Sequence, residues 1–452
     1  MLFTTEFLAE VFDDHKGAVQ DGIEINEVIT DSRRQSHKSL FIPLVGESFD
    51  GHDFLKGAFD NGAVAVLWEK DRELPEFLPA GFPVFYVDDT LEGLQLLARE
   101  YRKQINPTVI GITGSNGKTT TKDLIGTVTA SYFRTHRTKG NLNNHIGVPL
   151  TILSMPPQTE VLVLEMGMSG FGEIELLSRI AQPDYAVITN IGESHIEYLG
   201  SREGIAQAKS EILAGLKSDG LLFIDGDEEL LSALKQRKDT VGCGFHPDNQ
   251  ITADHIRMHT DKTTFRFNGH TVYELNMLGE HNVKNALFAI AIADRLAIPE
   301  QYTKSALSNL ELTGMRFEFV SGRNHSTIIN DAYNASPTSM KASINVVQQL
   351  SGYQRKVLVL GDIFELGEQA STLHRQVAEA INQDIDVLFT VGSNAQEISD
   401  AKKNELPLVK HFEALGDLTT ALLPLLEEGT LVLLKASRGM KLEQMLEDIA
   451  DQ

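Results

Sequence analysis

The chain has 452 residues, of which 42% are hydrophobic and 23% are charged, an ordinary composition for a globular protein. Its length allows two to four domains, of which three is our prediction, and no segment approaches the roughly 18 apolar residues of a membrane span. The formal net charge of -23 repels phosphate backbones and anionic lipids. We therefore expect no sequence-independent binding to nucleic acid or membranes, and the lack of a long apolar segment predicts no membrane insertion.

The N-terminus and the cysteine content both favour a cytoplasmic protein. The first residues, MLFTTEFLAEVFDDHKG, are acidic where a secretory signal is basic. Cys243 is the only cysteine, which excludes an internal disulfide bond and a cysteine metal cluster. Both features fit a protein that works in a reducing compartment.

The first part of the chain predicts a small mixed α/β unit. Residues 1–105 alternate short apolar runs, such as 39–45, with polar and glycine-rich stretches. The segment 104–107 (QINP) is interpreted as a hinge. An apolar run at 108–113, a glycine-rich loop and a helical pattern from about residue 119 to 132 then predict the order strand, loop, helix.

The alternation of apolar runs and helical patterns continues to the end of the chain. Further apolar runs occupy 161–166, 185–191, 220–225, 326–331, 356–362, 387–392 and 430–436. Continuous apolar strands separated by helices are typical of parallel sheets covered on both faces. We predict an α/β fold with three domains: an N-terminal unit (1–105), a central P-loop-type parallel sheet domain (106–313) and a C-terminal doubly wound, Rossmann-like domain (314–452).

The glycine-rich loop at 111–119 (GITGSNGKT) is the strongest functional signal in the residues themselves. Its backbone amides can approach an anion closely, and the dipole of the following helix favours negative charge. Lys118 is expected to reach the β- and γ-phosphates of ATP, and the Thr119 hydroxyl to bind Mg²⁺. The usual spacing places glycine at residue 112, where this chain has isoleucine, so the loop is a variant form.

Three other side chains are candidates for chemistry. Glu165 ends an apolar run at the sheet edge where α/β proteins bind ligands, and is either a Mg²⁺ ligand or a solvent-facing acid. His195 follows another predicted strand, and from the residues alone a structural role is favoured over ligation. Lys209 lies in a predicted helix, 202–216, where a solvated position is favoured and a buried functional position is the alternative.

Five ordered segments resemble the Mur ligases, the ATP-dependent amide ligases that build the peptide of bacterial cell-wall precursors. They are GSNGKTT (114–120), NNHIGVP (143–149), EMG (165–167), the segment around His195, and GEHNVKNA (279–286). The resemblance covers essentially the whole chain. Within the family it is greatest to the member that joins D-alanyl-D-alanine to UDP-N-acetylmuramoyl-tripeptide, because of NDAYNASPTSM (330–340) and LGDIFELG (360–367).

The resemblance implies ATP and two Mg²⁺ ions, and it assigns roles by position. Nucleotide contacts are implied for Gly114, Ser115, Asn116, Gly117, Lys118, Thr119, Thr120, Asn282, Arg316 and Asp331. Metal ligation is implied for Thr119, Glu165, His195 and Lys209, the last as a carbamylated side chain. Substrate contacts are implied for Ser32, Arg33, Asn143, Asn144, Tyr333, Asn334, Lys435, Ser437 and Arg438. The implied catalytic residues are Lys118, Lys209 and His195.

The family's mechanism implies that ATP first phosphorylates the tripeptide carboxylate, because a free carboxylate is a poor acyl donor. The amine of D-alanyl-D-alanine then attacks the acyl phosphate. The three domains are expected to bind the UDP substrate, ATP and the amine substrate respectively, in a monomer. The alternatives are another ligase of the superfamily, adding the third residue or extending folates, a P-loop ATPase or kinase, and a nucleotide-binding regulatory protein.

Overall fold

The computed structural model describes residues 1–310 and 314–451, which form three α/β regions in chain order. The predicted end of the central domain at residue 313 lies outside the described residues, as does residue 452. Within the described ranges, no helix has both the length and the apolar character needed to cross a membrane. The mixed α/β architecture with parallel sheets confirms the predicted fold class.

The N-terminal region is built on a small mixed sheet. Its elements are β1 (Phe3–Thr4), α1 (Thr5–Val11), β2 (His15–Lys16), β3 (Glu24–Ile25), β4 (Glu27–Ile29), β5 (Ser39–Phe41), α2 (Leu55–Asp60), β6 (Ala63–Glu69), β7 (Val84–Val87) and α3 (Thr90–Ile105). Strands β4 to β7 run parallel, and β2 pairs antiparallel with β7 at the edge. A separate antiparallel pair joins β1 to β3.

The connection from the N-terminal to the central region is shorter than the predicted hinge. Helix α3 continues to Ile105, and Asn106 ends it in the left-handed conformation, with φ 52°. Asparagine tolerates this conformation better than most residues, so it suits a helix C-terminus. Because the next strand begins at Thr108, the connection is a tight turn and not an extended linker.

The central region contains the largest sheet. Its elements are β8 (Thr108–Thr113), α4 (Lys118–Ala130), β9 (Thr135–Arg137), α5 (Gly147–Leu153), β10 (Val161–Glu165), α6 (Glu173–Ala181), β11 (Tyr185–Ile188), α7 (Ile196–Leu199), α8 (Arg202–Ser210), β12 (Leu221–Asp225), α9 (Ser232–Lys235), β13 (Thr240–Gly244), β14 (Ile251–Met258), β15 (Thr263–Phe267), β16 (Thr271–Leu275), α10 (Glu280–Arg295) and α11 (Glu300–Ser308). The strand order is β16-β15-β14-β13-β12-β11-β8-β10-β9.

Most of this sheet is parallel, as the continuous apolar runs predicted. Strands β11, β8 and β10 are parallel neighbours, so their carboxyl ends meet at one edge. Strand β14 pairs parallel with β13, and β15 and β16 then extend the sheet in antiparallel fashion, which the sequence analysis did not predict. The loops that follow β8, β10 and β11 therefore lie next to one another.

The C-terminal region is a second, mostly parallel sheet. Its elements are β17 (Glu318–Gly322), β18 (Ser326–Asn330), α12 (Pro337–Gln349), β19 (Arg355–Gly361), α13 (Ala370–Ala378), β20 (Val387–Val391), α14 (Gln396–Lys402), β21 (Leu408–Phe412), α15 (Leu415–Leu422), β22 (Thr430–Lys435) and α16 (Leu446–Ile449). The order is β17-β18-β22-β19-β20-β21, and only β17 pairs antiparallel among these described strands.

Helix α3 is joined to the central region by a buried hydrogen bond. The Tyr101 ring is fully buried, and its hydroxyl donates to the Met155 carbonyl at 2.7 Å. A buried carbonyl that loses its only donor retains the full cost of desolvation. This bond therefore contributes to the stability of the junction between the two regions.

We expect Tyr101→Phe to lower the free energy of unfolding by about 1–3 kcal/mol, because it leaves a buried acceptor unsatisfied. Urea denaturation followed by circular dichroism measures the change. Tyr132→Phe is the matched control, since the Tyr132 side chain is 50% exposed. Equal effects of the two substitutions would contradict a specific role for the buried bond.

Candidate active site

A cleft of about 800 Å³ lies between the central and C-terminal regions, at the carboxyl ends of the central parallel strands. Its lining includes these predicted site residues: Ser115, Asn116, Gly117, Lys118, Thr119, Thr120, Asn143, Asn144, Glu165, His195, Asn282, Arg316, Asp331, Tyr333, Asn334 and Lys435. Segments more than 200 residues apart in the chain therefore meet around one space. Its position at a sheet edge is where open α/β folds bind ligands.

The glycine loop connects β8 to α4 as predicted, and two of its glycines are required by its shape. Gly114 has φ 150°, and a Cβ there would collide with the Thr189 hydroxyl. Gly117 has φ 78°, and a Cβ would lie 2.6 Å from Asn285 Oδ1. Asn190 holds the loop by accepting hydrogen bonds from two of its backbone amides. The loop is thus shaped before any anion binds.

Lys118 begins helix α4 and folds back over the loop. Its ammonium donates to the Gly114 carbonyl at 2.7 Å and to the Ser115 carbonyl at 3.3 Å. Burial lowers the pKa of Lys118, the Glu165 carboxylate opposes this shift, and Arg316 adds to it. A bound anion would stabilise the charged form and compete with the loop carbonyls for the ammonium group.

Glu165 ends strand β10 and is only 3% exposed, so the solvent-facing interpretation is wrong. One carboxylate oxygen accepts a hydrogen bond from the Thr119 hydroxyl at 2.8 Å, and the other accepts from the Asn143 amide at 2.9 Å. Side chains alternate between the two faces of a strand, and the Glu165 side chain, at the end of β10, points to the face that helix α4 covers. A buried carboxylate beside a hydroxyl is a donor set that Mg²⁺ prefers.

His195 lies at the start of helix α7 with φ 65°, an uncommon conformation for a residue with a Cβ. Its Nδ1 is 2.5 Å from Oε2 of Glu365, which belongs to the C-terminal region. The close contact with the His195 ring lowers the pKa of Glu365. The sequence analysis singled out the segment containing Glu365 but assigned it no role.

The burial of Lys209 contradicts the solvated position that residue spacing had favoured. Helix α8 ends at Ser210, before a short 3₁₀ turn at 211–214, and the Lys209 side chain is 1% exposed where a solvated position was favoured. Burial, and secondarily the positive charge of Lys118, hold the pKa of Lys209 well below its usual value. Lys209 is not among the residues that line the cleft.

The C-terminal region contributes Arg316, which donates to the Thr119 hydroxyl at 2.8 Å and stacks over the Tyr333 ring at 4.2 Å. Asp331 accepts a hydrogen bond from Lys435 at 2.6 Å, and Lys435 is 3% exposed. The lysine predicted to contact a substrate is therefore paired with the aspartate predicted to contact the nucleotide.

Two further hydrogen bonds bring helix α12 onto the glycine loop and the segment after β11. The Ser336 hydroxyl donates to Asn116 Oδ1 at 2.8 Å, and the Thr338 hydroxyl donates to Glu193 Oε2 at 2.8 Å. Ser336 also caps α12, so the helix start and the contact are formed by one residue. These contacts close the C-terminal region over the cleft.

Several residues predicted to contact nucleotide or substrate form hydrogen bonds or ion pairs with nearby protein groups. Asn144 accepts from the Gly147 amide at 2.8 Å, and buried Asn282 donates to the Leu278 carbonyl at 2.8 Å. Ser437 accepts from the Phe364 amide, and Arg438 is paired with Glu443 at 3.2 Å. Arg438 and Ser437 do not line the cleft.

The N-terminal candidates lie apart from the cleft. Ser32 and Arg33 are in the loop after β4, and the Arg33 guanidinium donates two hydrogen bonds to Asp31, at 2.9 and 2.8 Å. Arg33 is exposed, with 87% of its side chain accessible. Any substrate that contacted both Arg33 and the cleft would have to extend between the two regions.

The arrangement combines a shaped phosphate loop, a buried acid, a hydroxyl and several cations. In the described residues, no group of three or more histidine, cysteine or acidic side chains is placed to hold a metal. A metal at Glu165 would therefore need other ligands, such as the Thr119 hydroxyl. This chemistry suits a nucleoside triphosphate with a divalent cation.

Residues that sequence reasoning missed are Asn190, Glu193, Ser336, Thr338 and Glu365. Each contacts a segment distant in sequence, so no local pattern marks it. All five lie in segments that the sequence analysis had singled out, namely the segment around His195, 330–340 and 360–367, but it assigned them no role.

Comparison with known proteins identifies the family. Residues 24–102, 112–293 and 315–438 match the Mur ligase family catalytic domain, the Mur ligase middle domain and the Mur ligase glutamate ligase domain. The chain is 49% identical to the UDP-N-acetylmuramoyl-tripeptide–D-alanyl-D-alanine ligase of Bacillus subtilis, over 94% of this chain and 93% of that one.

Solved structures agree with the sequence relatives. MurF from Acinetobacter baumannii superposes with a TM-score of 0.85 at 29% identity, over 99% of this chain and 98% of that one. MurF ligase from Thermotoga maritima, solved with ADP, has a TM-score of 0.82 at 27% identity, over 93% and 96% of the two chains. Because similarity extends over nearly the whole chain in both comparisons, this protein belongs to the Mur ligase family of ATP-dependent ligases.

Proposed function

We propose that this enzyme uses ATP to join D-alanyl-D-alanine to UDP-N-acetylmuramoyl-tripeptide in peptidoglycan precursor synthesis, releasing ADP and phosphate. The observation that carries the proposal is the meeting of the phosphate-binding loop with the C-terminal segment 330–340 in one cleft. That segment carries the closer resemblance within the family. The Bacillus subtilis relative of this name, 49% identical, supports the same substrate pair.

Each region has one proposed ligand. Residues 1–105 bind the UDP substrate, with Ser32 and Arg33 among its contacts; residues 106–313 bind ATP; and residues 314–452 bind the amine substrate and close over ATP. Further substrate contacts are proposed for Asn143, Asn144, Tyr333, Asn334, Lys435, Ser437 and Arg438. The pairing of Lys435 with Asp331 means that a substrate carboxylate would have to share the ammonium group with Asp331.

Nucleotide contacts are proposed from the family resemblance: Gly114 to Thr120 around the phosphates, Asn282 at the base, and Arg316 and Asp331 at the ribose or phosphates. All of these residues except Gly114 line the cleft, which supports the proposal. Arg316 already donates to Thr119, so it reaches the loop from the opposite region. Its planar guanidinium has further donors for a phosphate oxygen.

Two Mg²⁺ ions are proposed, held by Thr119, Glu165, His195 and a carbamylated Lys209. The buried carboxylate beside the Thr119 hydroxyl fits such an ion. Burial favours the neutral amine of Lys209, which is the form that reacts with CO₂. When bound, Mg²⁺ offsets the negative charge of the phosphates.

The residues of the chain then act by positioning and by charge. Lys118 and the start of helix α4 stabilise the γ-phosphoryl group as it passes from ATP to the tripeptide carboxylate, which yields ADP and an acyl phosphate. The neutral amine of D-alanyl-D-alanine attacks the acyl carbon, and phosphate leaves. The docked C-terminal region excludes water, which would otherwise hydrolyse the acyl phosphate.

We also propose that the enzyme is a cytoplasmic monomer without nucleic-acid or membrane partners. The net charge of -23 supports the absence of polyanionic partners. Size-exclusion chromatography with light scattering tests the oligomeric state.

The function predicts that ADP release requires both substrates. With UDP-N-acetylmuramoyl-tripeptide and ATP present, adding D-alanyl-D-alanine should accelerate sustained ADP release, and glutamate or single amino acids should not. A coupled ADP assay with mass spectrometry of the product measures this. A P-loop ATPase or kinase would release ADP equally fast without the dipeptide, and a folate-extending ligase would respond to glutamate.

Lys209→Ala should prevent carbamate formation at residue 209 and lower ligase activity by about 100-fold or more. A loss of this size is typical of removing a major electrostatic stabiliser. With ¹³C-labelled bicarbonate, wild-type protein should show a carbamate carbon signal by NMR, and Lys209→Ala should not. Lys304→Ala, at an exposed ion pair with Glu300, is the control. Absence of the signal in wild-type protein, or full activity of Lys209→Ala, would reject the modification.

Gly114→Ala should weaken ADP binding by about 10-fold or more, equivalent to about 1.4 kcal/mol, because the added Cβ displaces the loop from the Thr189 hydroxyl. Isothermal titration calorimetry measures affinity, and a thermal melt checks folding. Gly416→Ala is the control, since a Cβ there meets open space. Unchanged affinity in folded Gly114→Ala protein would show that the loop shape is not required.

A further inference from the structure

The loop after β13 supplies an aromatic side chain to the cleft. Phe245 directly follows Gly244, the last residue of β13, and it is a half-buried residue of the cleft lining. Its ring packs against the apolar core of the central region, and Met277, which is 7% exposed, is another apolar residue of the same lining. The family resemblance assigns Phe245 no role. An aromatic ring at the cleft therefore has no partner in the roles proposed so far.

The place of Phe245 along the sheet edge is set by the strand order. Strands β8, β11, β12 and β13 are successive parallel neighbours, so their carboxyl ends share one edge. Neighbouring strands are about 4.8 Å apart, which separates the loops after β8 and β13 by roughly 14 Å. An extended nucleotide whose phosphates lie on the loop after β8 reaches over a distance of this order. Phe245 thus lies where the base of that nucleotide would be, away from its phosphates.

The charges around Phe245 favour an uncharged ligand group. The Lys284 ammonium, on helix α10, donates to Asp225 at 2.9 Å and lies 3.1 Å from an Asp227 carboxylate oxygen. It also lies 5.2 Å from the centroid of the Phe245 ring. Because two carboxylates face this one ammonium, Lys284 is not a source of surplus positive charge for a phosphate. A flat, neutral group suits this end of the cleft better than an anion does.

The turn that carries Phe245 is fixed by one side chain. The Asp227 carboxylate accepts hydrogen bonds from the Phe245 amide at 2.8 Å, from the His246 amide at 3.0 Å and from the Asn249 side chain at 2.7 Å. The ring is therefore held in place by its own backbone and by its packing on the core. A group that is already ordered loses little conformational freedom when a ligand binds.

We propose that Phe245 is a specificity-determining residue that stacks on the nucleobase and favours a purine. This role rests on the proposed ATP-dependent function. Every base has a π-face that an aromatic side chain can stack on, and the two fused rings of a purine offer a larger overlap than the single ring of a pyrimidine. Asp227 and Lys284 hold the ring in position for that contact.

The test compares two substitutions of Phe245 in the full-length chain. Phe245→Leu keeps an apolar side chain against the core but removes the aromatic face, whereas Phe245→Tyr keeps the face. Phe77→Leu is the matched control, since Phe77 is a 38% exposed phenylalanine of the N-terminal region. Isothermal titration calorimetry measures the affinity for ADP, for CDP and for inorganic tripolyphosphate, which has a phosphate chain and no base.

We expect Phe245→Leu to weaken ADP binding by about 10- to 100-fold, the range of stacking contributions measured by truncating aromatic side chains. It should weaken CDP binding by a smaller factor, so that the preference for ADP over CDP narrows, and it should leave tripolyphosphate binding unchanged. Phe245→Tyr and Phe77→Leu should match wild-type protein with all three ligands. A purely structural role of Phe245 would instead change the three affinities together.

A second measurement detects the contact itself. In protein with labelled phenylalanine rings and bound ADP, nuclear Overhauser effects should join the adenine ring protons to the ring protons of Phe245. The spectrum of Phe245→Leu assigns these signals, because they should be missing from it.

Unchanged ADP affinity in Phe245→Leu would overturn this role, as would an equal loss of tripolyphosphate affinity or the absence of the Overhauser effects in wild-type protein. These measurements need no turnover. Wild-type protein that binds ADP through Phe245 but forms no product would refute the ligase function alone, and active enzyme with unchanged ADP affinity in Phe245→Leu would refute only the stacking.

Discussion

The site depends on a buried carboxylate. Glu165 is 3% exposed, and burying an unpaired charge would cost several kcal/mol. The Thr119 hydroxyl and the Asn143 amide donate to its two oxygens, and Lys118 supplies positive charge nearby. The acid thereby ties helix α4 and the loop before α5 to the end of β10. The groups that compensate Glu165 are also the groups placed to meet phosphate.

The same hydrogen-bond chain extends to the C-terminal region. The Thr119 hydroxyl donates to Glu165 and accepts from Arg316, which stacks on Tyr333. One hydroxyl therefore links the central sheet, the phosphate loop and the third region. A ligand that replaces Arg316 as the partner of Thr119 alters a contact between regions, which connects nucleotide binding to closure in physical terms.

The parts of this structure that the sequence predicts are those with local causes. The strand–loop–helix order around Gly114 and Lys118 follows from an apolar run, glycines and a helical pattern within about 25 residues. Lys209 was misjudged because burial depends on which face of α8 packs inward, and one lysine among small residues does not show that. The Glu365 contact with His195 joins two regions of the chain, so no local pattern could reveal it.

The local charge explains how a strongly acidic chain holds anionic ligands. Lys118 lies near the buried acid Glu165, and Arg316 and Lys209 lie near Lys118, although the formal net charge of the chain is -23. Burial and neighbouring positive charge lower the pKa of both lysines, so the site is short of negative charge without ligands. Phosphate groups, or a carboxylate-like group on Lys209, would supply it. The rest of the acidic surface repels polyanions, which leaves this enclosed cluster as a place where small anions are favoured.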